Sequence, residues 1–144
     1  NRTNDQVLSI TSPGAGFAGH IPSALPGWYN GPDFESTLND NAFVVLWGAH
    51  DVNSSIVNPQ SNLTQRVQYA TEGAAPSRTL TVEWIVGNAR EHPTNVWVPA
   101  QTEHYRFWVT FYEAEPERFT YTYWDVSDGG SNATVGVRSQ DVRE

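Results

Sequence analysis

Alternation of apolar and polar positions dominates the second half of the chain. In "RTLTVEWIV", Leu80, Val82, Trp84 and Val86 fall on one side while Thr79, Thr81 and Glu83 fall on the other, the period-two pattern of a strand with one buried face. "HYRFWVTFYE" repeats the pattern with Tyr105, Phe107, Val109 and Phe111, and "RFTYTYW" repeats it with Phe119, Tyr121 and Tyr123. These two runs predict an antiparallel pair joined across "AEPE". No window holds an apolar stripe at i, i+3, i+4 and i+7 over a helical length, so the pattern predicts an all-β chain.

Shorter segments extend this reading. "NAFVVLWGA" is apolar on both faces and predicts an interior strand, "TQRVQYATEG" predicts a strand after the turn "VNPQSN", and "SNATVGVRS" a closing strand after "SDGG". From Phe17 to Leu38 the chain is rich in Gly, Pro, Asn and Asp, with scattered anchors at Ile21, Leu25, Trp28, Tyr29 and Phe34. It predicts a long irregular loop of the kind that is pinned or functional. Ahead of it, Val7, Leu8 and Ile10 form a short strand set off by Pro13, Gly14 and Gly16. The expected organisation is an arm over residues 1–16 and a single domain over 17–144, folded as an antiparallel β-sandwich or jelly roll. Its core is expected from Leu80, Val82, Trp84, Phe107, Val109, Phe111, Phe119 and Tyr121.

The opposite face of the aromatic pair carries Arg106, Trp108, Thr110, Tyr112, Thr120, Thr122 and Trp124. A solitary monomer seldom leaves three large aromatics as an open patch, so Trp108, Tyr112 and Trp124 predict a cover. The candidates are the Phe17 to Leu38 loop, a glycan, a partner subunit, or a sugar stacked on Trp108 and Trp124 and oriented by Arg106 and Thr122.

Composition narrows the function. A length of 144 residues suits one domain with a real core. The formal charge is -8 and all eight basic residues are arginine, so there is no lysine-rich patch to track nucleic acid or an anionic membrane. No apolar run is long enough to cross a bilayer, which argues against membrane insertion. Cysteine is absent, which excludes a disulfide scaffold and a thiolate nucleophile. His20, His50, His92 and His104 do not pair at metal-ligand spacing and read as surface histidines. Neither a serine nucleophile elbow nor a phosphate-cradling loop occurs. Glu83, Glu103 and Glu113 lie on or beside the aromatic strands, but no fixed spacing ties two of them into a glycosidase pair. "DVSDGGSN" clusters Asp125, Ser127, Asp128 and Asn132 without the alternation of a calcium loop, and turn chemistry accounts for it while leaving calcium open. No cofactor, metal or catalytic residue is expected.

Two features point outside the cell. The chain begins at Asn1 with no apolar leader after it, which reads either as a mature product whose targeting segment has been removed or as a trimmed piece of a longer chain. Asn-x-Ser/Thr acceptors stand at Asn1, Asn53, Asn62 and Asn132, and predict glycosylation.

In order and spacing, "YATEGAAPSRTLTVEW", "YRFWVTFYEAEPERFTYTYW" and "SNATVGVRS" resemble the nidogen-like extracellular β-domains of secreted microbial surface proteins and plexin-domain-containing receptors. The resemblance covers about residues 41 to 139. It sets Trp47 and Asp51 at the place where that family carries an aromatic closely followed by acidic residues. It implies an extracellular, non-catalytic module used in adhesion or matrix architecture. Together with the detached strand, this predicts a subunit of a surface fibre or adhesive appendage. Val7, Leu8 and Ile10 would either be donated to a neighbouring copy, making the chain's main partner itself, or satisfy an open edge of their own domain. A carbohydrate-binding module is the alternative.

Overall fold

The computed structural model describes residues 8–11, 15–18, 42–47, 50–91, 97–131 and 133–138. Asn1, Val7, His20, His92, Asn132 and the loop anchors from Ile21 to Phe34 lie outside the described residues. Every regular element among those described is a strand. In chain order they are β1 (Leu8–Thr11), β2 (Ala15–Ala18), β3 (Ala42–Trp47), β4 (His50–Asp51), β5 (Val57–Asn58) and β6 (Leu63–Thr64). They continue with β7 (Arg66–Glu72), β8 (Thr79–Glu91), β9 (Trp97–Tyr112), β10 (Glu115–Val126) and β11 (Thr134–Arg138).

All pairings are antiparallel. One sheet has the order β1-β2-β3-β11, a second has β10-β9-β8-β4 with β7 also on β8, and β5-β6 is a separate hairpin. β7 and β4 follow one another along the same side of β8, β7 against Thr79 to Ile85 and β4 against Gly87 and Asn88. The strand expected in the arm forms as β1, and it pairs within its own chain, Leu8 opposite Ala18 and Thr11 opposite Ala15.

The β8–β9 ladder sorts the side chains. Val82 faces Val109, Trp84 faces Phe107 and Val86 faces Tyr105, and all six are buried. Trp84 and Phe107 stack with ring centroids 5.5 Å apart and planes 14° from parallel. Phe43, Val45 and Leu46 of β3 complete the same apolar cluster, so the two larger sheets share one interior. Phe43 meets Phe111 edge-on at 5.1 Å across the sheets. Two phenols then tie β10 to the other sheet: Tyr123 donates to the Val45 carbonyl at 2.6 Å and Tyr121 to the Gly136 carbonyl at 3.0 Å.

The expected core holds at its centre and opens toward one end. Leu80 and Phe111 are half-buried and Phe119 is 36% exposed, because β10 is an edge strand and nothing pairs beyond it among the described residues. Conversely, Ile85 and Val44 are fully buried although each points away from the Trp84 interior. The connection expected across "AEPE" is shorter than that: only Glu113 and Ala114 turn, Glu115 already pairs with Tyr112, and the irregularity lies between Glu115 and Phe119. Pro116 is tolerated there because an edge strand can lose a donor.

Gly87 marks a second irregularity, where β9 carries extra residues between Ala100 and His104. A Cβ on Gly87 would meet Gln65 Nε2 at 2.7 Å. The Gln65 side chain is itself buried, and its Oε1 accepts the Asn53 backbone N–H at 2.9 Å. A side chain at Gly87 would therefore have to displace the Gln65 amide, so glycine is favoured there by close approach.

Replacing Trp84 with Ala removes the largest interior ring and leaves a space that flanking ladder bonds keep open. The expected loss is about 3–5 kcal/mol, read from the urea midpoint. An unchanged midpoint would place Trp84 on the solvent side.

Candidate functional site

The outer face of the second sheet is organised by arginine. Gln68, Glu83, Trp108 and Thr122 stand in one cross-strand row, with Arg66, Ile85 and Arg106 in a neighbouring row. Arg106 Nε donates to Glu83 Oε1 at 2.7 Å, and Gln68 donates to the other carboxylate oxygen. Held this way, the guanidinium lies 4.9 Å from the Trp124 ring centroid and 5.8 Å from that of Trp108. Trp108 is half-buried, whereas Trp124 is 49% exposed. Further along, Arg118 sits 4.6 Å over Tyr112 while paired to Glu115, and the Tyr112 hydroxyl meets Thr120 Oγ1 at 3.3 Å. Thr81 and Thr110 join hydroxyls at 3.1 Å in the row between.

The three aromatics therefore do share a face, and arginines of the same sheet cover part of it. Arg106 occupies ring surface that a sugar would need on Trp108 and Trp124. Alternation alone marks these aromatics in the sequence. The arginine caps become legible only as cross-strand neighbours, once the register is known.

Glu83, Glu103 and Glu113 each have a structural role. Glu83 carries Arg106, and Tyr105 donates to Glu103 at 3.3 Å. Glu113 accepts Arg78 Nε at 2.9 Å and the Arg78 backbone N–H at 3.2 Å, while its own N–H donates to the Arg78 carbonyl. The Arg78 guanidinium holds the Glu113 carboxyl down to about 2.

The acidic turn is likewise occupied. Asp125 Oδ2 takes His104 Nδ1 at 2.7 Å and Asn58 Nδ2 at 3.1 Å, and Asp128 accepts the Gly130 N–H and the Ser131 hydroxyl. The Ser127 hydroxyl accepts the His104 backbone N–H at 2.9 Å. Gly129 and Gly130 adopt φ of 68° and 76°, which favours glycine. Among the described residues no group of three or more His, Asp or Glu is placed to hold a metal ion. Trp47 closes β3 opposite Thr134, and Asp51 lies in β4 opposite Gly87, so the two stand on different sheets. Asn58, missed in the sequence, is buried; its Oδ1 accepts the Gln60 and Ser61 N–H groups and so shapes the turn before β6.

His50 departs from the surface position expected of it, because β4 turns its ring into the apolar interior. It is 3% exposed and packs 4.5 Å from the Tyr105 ring, and neither ring nitrogen has a well-formed hydrogen bond among the described residues. Burial lowers it to about 4, against an opposing pull from the Leu46 backbone and the carboxylates of Asp128 and Glu103. Burial also raises the Tyr105 phenol well above its ordinary range.

Of the glycosylation acceptors, Asn62 is exposed in the turn between β5 and β6 with φ of 56°. Asn53 is half-buried, and its Oδ1 accepts the Ser55 N–H.

These features define an all-β domain in which Glu83, Glu103, Glu113, Asp125 and Asp128 each make a structural contact. A family model described as NIDO related, that is nidogen-related, matches residues 21–144, and the chain belongs to that family. The match extends on both sides of the stretch that carried the resemblance. No curated protein and no solved structure gives a match. The family is one of typically extracellular β-domain modules and is not known for enzymatic activity.

A buried neutral imidazole stabilises the fold above about pH 6.5 and loses that contribution as pH falls toward about 4, because the unfolded chain takes up the proton first. Stability should fall by on the order of 3 kcal/mol across this window from His50 alone. His50→Leu should flatten the dependence, read from urea midpoints at pH 7 and pH 4.5. An equally steep variant would contradict a neutral buried His50.

Proposed function

We infer that this chain is a non-catalytic extracellular structural module that joins copies of itself as a subunit of a surface fibre or adhesive appendage. The observation that carries this reading is the β1–β2 hairpin. Among the described residues β1 lies at one margin of its sheet and pairs only with β2, while β11 at the opposite margin leaves Val135 51% and Val137 55% exposed. The pairing that Leu8 and Ile10 make with β2 of their own chain is chemically the same as one made with β2 of another copy.

A second route to assembly uses the margins directly, since an edge unpaired among the described residues and beside exposed valines invites another strand. Either contact, made head-to-tail, does not close on itself and so propagates as a filament. Asn62, exposed in the turn of the separate β5–β6 hairpin, is an acceptor that could carry a glycan in an assembled array. Peptide mapping of native material should find it modified.

Sedimentation of the full chain and of a form lacking residues 1–12 tests the reading. The full chain should gain mass with concentration. The shortened chain should remain monomeric, with a lower denaturation midpoint. A full chain that stays monomeric at every concentration overturns self-assembly.

A further inference from the structure

A continuous chain of side-chain hydrogen bonds runs across the outer face of the second sheet. On β7, Arg66 Nε donates to Gln68 Oε1 at 2.8 Å; Gln68 Nε2 donates to Glu83 Oε2 on β8; and Glu83 Oε1 accepts Arg106 Nε of β9 at 2.7 Å. The ladders put all four on one face, Gln68 beside Glu83 in one row and Arg66 and Arg106 on either side of Ile85 in the next. Both Glu83 oxygens are thereby used, whereas Nη1 and Nη2 of Arg106 have no hydrogen-bond partner among the described residues. Nη2 of Arg66 has none either. Arg106 is fixed at Nε and flanked by Trp108 and Trp124, so its guanidinium meets a ligand already ordered. Its side chain keeps 24% of its surface in water, next to the half-exposed Trp124.

We propose that this face binds a uronate residue of an acidic glycan, with the carboxylate on the Arg106 guanidinium and the ring against Trp124. A guanidinium held at Nε still presents its two η nitrogens as a fork, which a carboxylate meets with both oxygens. Arg106 takes ring surface that a neutral sugar would need on the tryptophans, so a ligand gains here by using the arginine. The open part of Trp124 matches the apolar C–H face of a pyranose. Thr122, opposite Trp108 on the same face, supplies a hydroxyl that can donate to or accept from the sugar. Charge sets the limit on the ligand. Arg66 and Arg106 against Glu83 leave a small positive surplus, and Asp125 Oδ2 is engaged by His104 and Asn58. Within a chain of net charge -8, that surplus matches one carboxylate per ring and not a polysulfate. A peptide strand is disfavoured, because β8 and β9 are paired on both sides and offer it no backbone edge. The assembly contacts inferred above use margins of the first sheet, so failure of assembly leaves this face untouched.

Amide and side-chain N–H shifts of the full chain test the proposal. The titrants are the methyl glycosides of glucuronic and galacturonic acid and of their neutral counterparts, glucose and galactose. At least one uronide should give saturable shifts centred on Glu83, Arg106 and the Trp124 indole N–H, with a dissociation constant on the order of millimolar. It should bind at least about tenfold more tightly than its neutral counterpart. Arg106→Lys, which keeps the charge beside Glu83 and loses the fork, should weaken binding by about tenfold. Trp124→Ala, at a half-exposed position, should weaken it by about fivefold, and Tyr112→Phe, further along the same face, should bind as the parent. No saturable shift with either uronide overturns the proposal. So does equal affinity for the neutral counterpart, or affinity unchanged in Arg106→Lys or in Trp124→Ala. Acetate that matches the uronide at equal ionic strength would reduce the face to a simple anion site and overturn the sugar. Stronger shifts at the same groups from a tetraglutamate peptide would assign the face to an acidic peptide, with the same consequence.

Discussion

The register of β8 against β9 is the constraint on which the other features depend. With Trp84 opposite Phe107, Val82, Trp84 and Val86 of β8 and Tyr105, Phe107 and Val109 of β9 enter the interior shared with β3, and the residues between them are delivered to the outer face. The same alternation places Glu83 opposite Trp108 and on the same face as Ile85 and Arg106, close enough for Glu83 to hold the Arg106 guanidinium. A slip of β8 by one residue would put Glu83 inside, away from Arg106, and Trp84 in water, a large cost on both counts.

Beyond that ladder, polar groups fix what apolar packing leaves loose. Tyr121 and Tyr123 stand on an edge strand, where packing is incomplete, and their hydroxyls reach carbonyls of the opposing sheet. Burial, the main cause, pushes the Tyr121 phenol up to about 12, in keeping with a hydroxyl that serves as a donor. Asp125 gathers His104 and Asn58, which anchors the β5–β6 hairpin to the end of β10. At the other end, the Arg78–Glu113 clamp locks the loop before β8 to the β9–β10 turn and shapes an adjoining cleft. The second sheet is thereby cross-tied at both ends, which suits a module that bears load or presents a surface.

Much of the strand inventory was legible, because period-two alternation depends only on neighbours along the chain. The all-β class, the inward set around Val82, Trp84, Phe107 and Val109, and the shared face of Trp108, Tyr112 and Trp124 all follow from it. Exposure of Phe119 was not legible, since alternation cannot tell an edge strand from a central one. Nor were the roles of Arg106, Gln65 and His50, which arise from residues distant in sequence that only the register and the stacking of sheets bring together. The "AEPER" break reads as a loop because Pro and charge mark turns, yet the same residues serve at an unpaired margin.

Cross-strand proton contacts in the full chain, measured by nuclear Overhauser effects, test the central register directly. Contacts joining the backbone of Glu83 to Trp108 and of Trp84 to Phe107, with Trp84 and Phe43 ring protons both near Val82 methyl or Phe107 ring protons, are the predicted result. A ladder displaced by one residue, with Trp84 opposite Arg106 or Trp108, would contradict the account.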